Sequence, residues 1–137
     1  MSQLVVIDSS FVIALERAER DFQEIEGLNL ILPTPVIAEI LIGIGLSSKP
    51  DKAARAKEKL SMIQSVMAIA DFDIQAAEAF ANLSNSESNR SSPRSVFDLM
   101  IAAITVSNGA TLLTLDKRAD WQKLPGVKLH PISNRLQ

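Results

Sequence analysis

The sequence predicts an α/β fold of three layers, with helices on both faces of a central parallel sheet of about four to five strands. Three observations lead there. Short, mostly apolar runs of strand length recur at Leu4–Ile7, Leu28–Leu32, Val66–Ala70 and Thr111–Leu115. Helix-length segments separate them, the alternation of βαβ units. Leu4–Ile7 is continuously apolar, the mark of a strand covered on both faces rather than one that alternates between core and solvent.

In chain order, Ser9 and Ser10 follow the first strand, and Phe11–Leu15 opens a helix that becomes charged at Glu16 and Arg17. Gly27 closes a second charged helical stretch before the strand Leu28–Leu32. Thr34 is placed to cap the next helix, with Pro35 at its first position. That helix, Val36–Leu46, is apolar nearly all round and is predicted to be buried. From Lys49 to Ser65 the pattern reverses: Lys49, Lys52, Arg55, Lys57 and Lys59 mark a solvated face, with Leu60 and Ile63 turned inward. A strand is expected at Val66–Ala70, and Asp73 caps a helix running to about Leu83. The Ser- and Asn-rich tract from Asn82 to Ser95 reads as an exposed loop. Ser95 caps the helix Val96–Ser107, Asn108-Gly109 ends it, Thr111–Leu115 is a strand and Val127–Leu129 a short edge strand.

Composition narrows the function. The 137 residues predict one domain, 1–137, large enough to bury a core; 47% are hydrophobic and 22% charged, a globular balance. The absence of Cys excludes disulfides, zinc–thiolate sites and thiol nucleophiles, and fits a reducing cytoplasm. A net charge of -2, from 14 basic and 16 acidic residues, excludes nucleic-acid binding by bulk charge. The start, ending its apolar stretch at Asp8, lacks the basic segment of a secretion signal. The longest apolar region, Leu28–Leu46, is interrupted by Pro33, Thr34, Pro35 and Glu39, so no membrane span is expected. The location expected is cytoplasmic.

Four acids stand alone in apolar surroundings. Asp8 ends Leu4–Ile7, Glu39 lies within Val36–Ile42, Asp98 within Val96–Ile101, and Asp116 follows Leu112–Leu115. A carboxylate removed from water costs several kcal/mol unless compensated, and none of these runs holds a Lys or Arg. Three have ordinary local uses: Asp8 and Asp116 as cap or turn residues, and Asp98 as the fourth residue of a capping box begun by Ser95. Glu39 is too far into its helix to cap it. In an open parallel sheet, ligands bind beyond the carboxyl ends of the strands. Asp8 and Asp116 fall at strand ends and Glu39 and Asp98 near helix starts, so all four are expected at one rim. The simplest common partner is a hard cation, since Mg²⁺ takes oxygen ligands. Ser10 and Thr114, two residues from Asp8 and Asp116, are placed to orient them.

The ordered set Val5-Val-Ile-Asp8-Ser-Ser10, Glu39-Ile-Leu-Ile-Gly43, Phe97-Asp98-Leu-Met-Ile-Ala-Ala103 and Leu112-Leu-Thr-Leu-Asp116 resembles a PIN domain. More narrowly, it is similar to the VapC toxins of bacterial and archaeal toxin–antitoxin pairs, in order and spacing from Leu4 to Ile132. The resemblance implies that Asp8, Glu39, Asp98 and Asp116 ligate Mg²⁺ or Mn²⁺. It further implies an endoribonuclease that cuts RNA with a metal-activated water, leaving a 5′-phosphate and a 3′-hydroxyl. It implies two partners as well: a second copy, as a homodimer, and a cognate antitoxin inserting a segment near the acids. Two departures from the family pattern stand out. The tract Asn85–Ser95 is long and Ser-rich, and Asp120-Trp121 fills a place where an Asp-Phe pair is common, making Asp120 either an accessory acid or a turn residue.

Arg90, Arg94, Lys117 and Arg118 are the basic residues nearest the predicted rim in sequence, and are candidate RNA phosphate contacts. With aromatic residues at 4% and no Tyr, base stacking is not expected to carry recognition. Trp121 is expected in the core, and the one His, His130, in a structural role. Two phosphotransfer alternatives fail on particular residues: receiver domains need an acidic pair ahead of the acceptor Asp, but Asp8 follows only apolar residues, and haloacid-dehalogenase phosphatases need Asp-x-Asp, where Ser10 stands. The remaining alternative is a catalytically silent PIN-like module that binds RNA or protein.

Overall fold

Strands β1 (Leu4–Ile7), β2 (Asn29–Pro33), β3 (Ala68–Ala70) and β4 (Thr111–Leu113) form a sheet in the order β3-β2-β1-β4 in the computed structural model, which describes residues 3–135. All three pairings are parallel. Val6 is central, opposite Ile31 on one side and Leu112 on the other. Strand order therefore reverses at β1, and the crevice between the ends of β1 and β4 is the topological switch point.

Handedness distributes the helices. Steps from β1 to β2 and from β2 to β3 run one way across the sheet, while the step from β3 to β4 runs back past β1. Parallel crossovers are right-handed. Hence α1 (Ser9–Glu16), α2 (Thr34–Gly45) and α3 (Pro50–Val66) belong to one side, and α4 (Ile74–Ser84), α5 (Glu87–Ser91) and α6 (Val96–Ser107) to the other. Accordingly α1 packs on α3 and α4 on α6, and α2 touches α1, α3 and also α6, linking the two helical layers. A short α7 (Pro131–Arg135) packs on β4.

The core is built where the apolar runs predict it. Val5, Val6, Ile7, Leu32, Leu112 and Leu113 from the sheet are buried against Phe11, Leu15, Leu60, Ile63, Ile101 and Ile104. Leu60 and Ile63 are the inward residues expected of α3, and Trp121 is fully buried, also as expected. Asp73 caps α4 by accepting from the Ala76 N–H at 2.9 Å. Helix α6 ends at Asn108 and Gly109, where φ of +61° lets the Ala110 N–H return to the Thr105 carbonyl at 3.0 Å. That turn delivers the chain directly into β4.

Several expectations are corrected. Thr34 lies inside α2 rather than capping it; Pro33 holds the cap position in extended geometry and no side chain caps the helix. The second charged helical stretch is only a 3₁₀ turn, Phe22–Ile25, held by a reciprocal Asp21–Glu24 capping box, because the chain leaves α1 at Ala18 with φ of +58°. The edge strand Val127–Leu129 shrinks to a single bridge, Leu112 to Leu129, before Pro131 starts α7. Helix α2 is not buried throughout: Leu41, Ile42 and Leu46 are exposed at 43%, 53% and 81%. Its apolar residues surround the helix while only the side bearing Val36 and Ile40 meets the core. Finally, the tract from Asn82 to Ser95 is not one exposed loop. It contains the end of α4 and all of α5, and Asn89 within it is buried.

Candidate functional site

The carboxylate of Asp8 sits at the end of the central strand and is 2% exposed. Each of its oxygens is gripped by a hydroxyl. Ser10 Oγ donates to Oδ1 at 2.6 Å, and Thr114 Oγ1 donates to Oδ2 at 2.6 Å. The Phe11 N–H adds a longer bond to Oδ1 at 3.3 Å, making Asp8 also the N-cap of α1. Each hydroxyl has one proton, and both are spent on this carboxylate. Their lone pairs bind the segment after β4: Ser10 Oγ accepts from the Leu115 N–H at 2.9 Å, and Thr114 Oγ1 accepts from the Asp116 N–H at 2.9 Å. Ser10 and Thr114 therefore stitch β1 to the segment that carries Asp116. Burial nevertheless dominates, and pushes the Asp8 carboxyl up from 3.8 to about 6.

Ser133 is a contributor that the sequence did not reveal. Its buried hydroxyl accepts from the Thr114 N–H at 3.1 Å and donates to the Leu112 carbonyl at 3.1 Å. It fixes the backbone of Thr114 from α7, and nothing in Pro131-Ile-Ser133 distinguishes it from an exposed serine. Ser9 is a second: its hydroxyl, across from α1 to α2, acts to lower the Glu39 carboxyl against burial. Its position in the Ser9-Ser10 pair beside Asp8 was the available signal.

Glu39, in the middle of α2, and Asp98, in the first turn of α6, are half-buried. Burial is the largest influence raising both carboxyls above their ordinary values, against the lowering influence of the Ser9 and Ser95 side chains respectively. Glu39 Oε1 is buried without a hydrogen-bond partner, a costly position for a carboxylate oxygen. The Asp98 N–H donates to Ser95 Oγ at 3.1 Å, so the predicted cap exists. Asp116 accepts from the Arg118 N–H at 2.9 Å, the predicted turn. The local uses of Asp8 and Asp116 are thus realised, and the box expected of Asp98 is only half formed, since Ser95 caps the helix without a return bond from its own N–H to the Asp98 carboxylate.

The nearness of the four acids is seen in their mutual repulsion. Asp116 raises the carboxyl of Asp8 and that of Asp98, while Asp98 and Asp8 both raise that of Glu39. Glu39 thus feels two of the other acids, and Asp8 and Asp98 each feel Asp116. Among the described residues, no three acids are drawn close enough to hold an ion as they stand. Oxygen-only donors, net negative charge and the unpartnered Glu39 oxygen nonetheless match what a hard divalent cation takes.

The other candidates separate. Asp120 is held apart: its φ is +47°, its carboxylate pairs with Lys123 at 3.4 Å, and it makes no side-chain cap bond. Of its two readings the turn is met by its backbone, whose N–H donates to the Lys117 carbonyl at 3.3 Å and whose carbonyl accepts from the Lys123 N–H at 3.0 Å. Arg90, Lys117 and Arg118 are exposed, Arg118 lying 3.9 Å from Asp116. Arg94 differs from them, because its guanidinium is already engaged by backbone carbonyls. A phosphate would have to displace these, which argues against the direct contact expected of it. His130 is structural: Nδ1 accepts from the Ile132 N–H at 3.2 Å and its own N–H donates to the Leu112 carbonyl at 2.8 Å.

The Thr114 hydroxyl gives a direct test of the clamp. Thr114→Val keeps the shape but leaves Asp8 Oδ2 and the Asp116 N–H without this partner. The expected outcome in urea denaturation is a loss of about 1–3 kcal/mol. An unchanged midpoint would show that the clamp carries no stability.

Comparison with known proteins agrees with this architecture. The PIN domain family profile matches residues 5–126. Ribonuclease VapC1 of Rickettsia felis is 24% identical over 132 residues, covering 96% of this chain and 98% of the relative. Two solved structures share the fold at lower identity. VapBC2 from Rickettsia felis, bound to a DNA fragment from its promoter, superposes with a TM-score of 0.82 at 19% identity, over 93% of this chain and 97% of that one. DNA-bound VapBC from Salmonella typhimurium gives 0.80 at 18% identity, over 95% and 98%. Sheet order and a profile spanning most of the sequence lead to one assignment: this chain belongs to the PIN domain family, and within it resembles the VapC proteins.

Proposed function

We propose that the chain is a divalent-metal-dependent endoribonuclease and the toxin of a toxin–antitoxin pair. The observation that carries this reading is the buried Asp8 carboxylate at the switch point of the sheet, tied through Thr114 to Asp116, with the unpartnered Glu39 oxygen close enough to Asp98 for the Glu39 carboxyl to be raised by it. Four mutually repelling carboxylates are a standing cost to the fold that a cation removes. The Rickettsia felis relative, named a ribonuclease, supports the choice of RNA as substrate.

Asp8, Glu39, Asp98 and Asp116 would hold Mg²⁺ or Mn²⁺. When bound, such an ion neutralises phosphate charge, stabilises the leaving oxygen and lowers the pKa of water. The protein's own part is positional. Asp8 has both oxygens fixed by Ser10 and Thr114, so it orients rather than shuttles protons. Glu39 offers an oxygen with no competing partner. Asp116 is set by the Thr114 hydroxyl through its own N–H. Lys117 and Arg118, exposed beside Asp116, are suited to attract the phosphate backbone. Cleavage by activated water leaves a 5′-phosphate and a 3′-hydroxyl.

An antitoxin partner and a homodimer complete the reading. The VapBC complexes among the structural neighbours support the first, and the exposed apolar residues Leu41, Ile42 and Leu46 of α2 offer surface to cover. The deciding experiment compares Mg²⁺-dependent cleavage of mixed RNA by the wild type and by Asp98→Asn. We expect cleavage by the first and a loss of at least ~100-fold in the second, beyond what loss of a mere supporting partner costs. Equal rates would remove Asp98 from the machinery, a 2′,3′-cyclic phosphate product would show attack by the RNA 2′-hydroxyl instead of water, and an inactive wild type would favour the silent binding module.

A further inference from the structure

We propose that Arg94 is a positioning residue that sets the Asp98 and Asp116 segments against each other, an inference that rests on the metal-dependent reading above. Arg94 lies four residues before Asp98, on the approach to α6. Its guanidinium reaches across to the loop after β4, where Nε donates to the Ala119 carbonyl at 3.0 Å and Nη2 to the Asp120 carbonyl at 3.1 Å. Nη1 points the other way, to the Ser88 carbonyl at 2.9 Å, the Ser88 hydroxyl at 3.0 Å and the Ser92 carbonyl at 3.1 Å. The Arg94 N–H is itself fixed, donating to Oδ1 of the buried Asn89 at 3.0 Å, and Asn89 Nδ2 donates to the Ser84 carbonyl at 3.2 Å.

One side chain thus joins three segments: the end of α4 with α5, the approach to α6, and the loop that begins at Asp116. Two of them carry acids of the site. Asp98 follows Arg94 by four residues, in the first turn of α6, and Asp116 opens the loop whose Ala119 and Asp120 carbonyls the guanidinium holds. The planar fork matters, because two successive carbonyls are met by adjacent nitrogens of one rigid group, a match that a point-like ammonium does not reproduce. The long Ser- and Asn-rich tract gains a purpose from this, since it supplies Ser88, Asn89 and Ser92 as the fixed side of the tie.

The test uses the full chain in four forms: wild type, Arg94→Lys, Arg94→Gln and Asp98→Asn, each checked for folding by circular dichroism. Mn²⁺ binding is measured by calorimetry, and RNA cleavage is followed at saturating Mn²⁺. If Arg94 positions the acids, Arg94→Lys and Arg94→Gln bind Mn²⁺ about 10–100-fold more weakly, and kcat falls while KM for RNA and its salt dependence hold. Addition of free guanidinium to Arg94→Gln is expected to recover part of the Mn²⁺ affinity. Wild-type Mn²⁺ affinity in the Arg94 variants, or a raised KM with a reduced salt slope, overturns the proposal; the latter would mark a direct phosphate contact. Loss of affinity in Asp98→Asn alone discards the Arg94 role and leaves the metal site standing. Unchanged affinity in every variant discards both.

Discussion

Asp8→Asn is expected to reduce RNA cleavage by at least ~100-fold and at the same time to raise the unfolding free energy at pH 7.5 by about 1–3 kcal/mol. The two effects have one cause. Asp8 is 2% exposed, and burial holds its carboxyl at about 6 despite bonds from Ser10, Thr114 and Phe11. A displacement of roughly two units from 3.8 corresponds to about 3 kcal/mol of penalty on the charged form. An amide of the same shape escapes that penalty. Its oxygen still accepts from one hydroxyl and its NH₂ donates to the other, although these neutral bonds are weaker than those to a carboxylate, which is why the gain falls short of the full figure. What the amide loses is the negative charge that a cation needs. Urea unfolding and RNA cleavage of the same preparation check both halves. Wild-type cleavage would place Asp8 outside the machinery, and a protein less stable than wild type would show that its charge is not a cost.

Wild-type stability is expected to depend on pH in the sense opposite to that of most acids. A carboxyl whose folded pKa lies above its unfolded pKa keeps its proton longer in the native state, so the native state binds more protons between the two values. Unfolding free energy therefore falls as pH rises from about 4 to about 6 for Asp8, and levels off above. Glu39 and Asp98 are shifted in the same direction and act in the same sense. With Mn²⁺ present the trend is expected to reverse, since an ion bound only by the native state adds about 2.7 kcal/mol at one hundred times its Kd and competes with protons for the carboxylates. Thermal melts at pH 5 and pH 7.5, in EDTA and in Mn²⁺, measure this. The Mn²⁺ shift should be larger at pH 7.5 and nearly absent in Asp8→Asn; an equal shift in that variant would place the ion elsewhere.

The acids were legible in the sequence because each was an electrostatic misfit in its own run, and the strand pattern alone sufficed to bring them to one rim. Local uses coexist with their nearness: Asp8 caps α1, the Asp98 N–H is capped by Ser95, and Asp116 forms a turn. Arg94 was not legible. Its partners are carbonyls, which carry no residue identity, and two of them lie 25 and 26 positions away. Near the predicted rim its charge reads instead as a candidate phosphate contact. Ser133 was hidden for the same reason, being bonded to the backbone of Thr114 and Leu112. The exposure of Leu41, Ile42 and Leu46 was misread because apolarity records that a side chain avoids water, not whether its cover comes from the same chain.

The order β3-β2-β1-β4 has a consequence for how the protein comes into being. Asp8 meets Thr114 across 106 positions, and the first strand made finds its second neighbour only when the last strand emerges. Parallel pairing over such a separation is slow to nucleate, because the closing loop loses its entropy before the contacts form. During synthesis the chain therefore carries Asp8 and Glu39 long before Asp98 and Asp116 exist to complete the set. A nascent chain has no assembled acidic rim until β4 docks beside β1, and Ser133, which secures Thr114, is later still. The activity proposed for this protein is thus unavailable to the nascent chain until β4 has emerged and docked, by strand order alone.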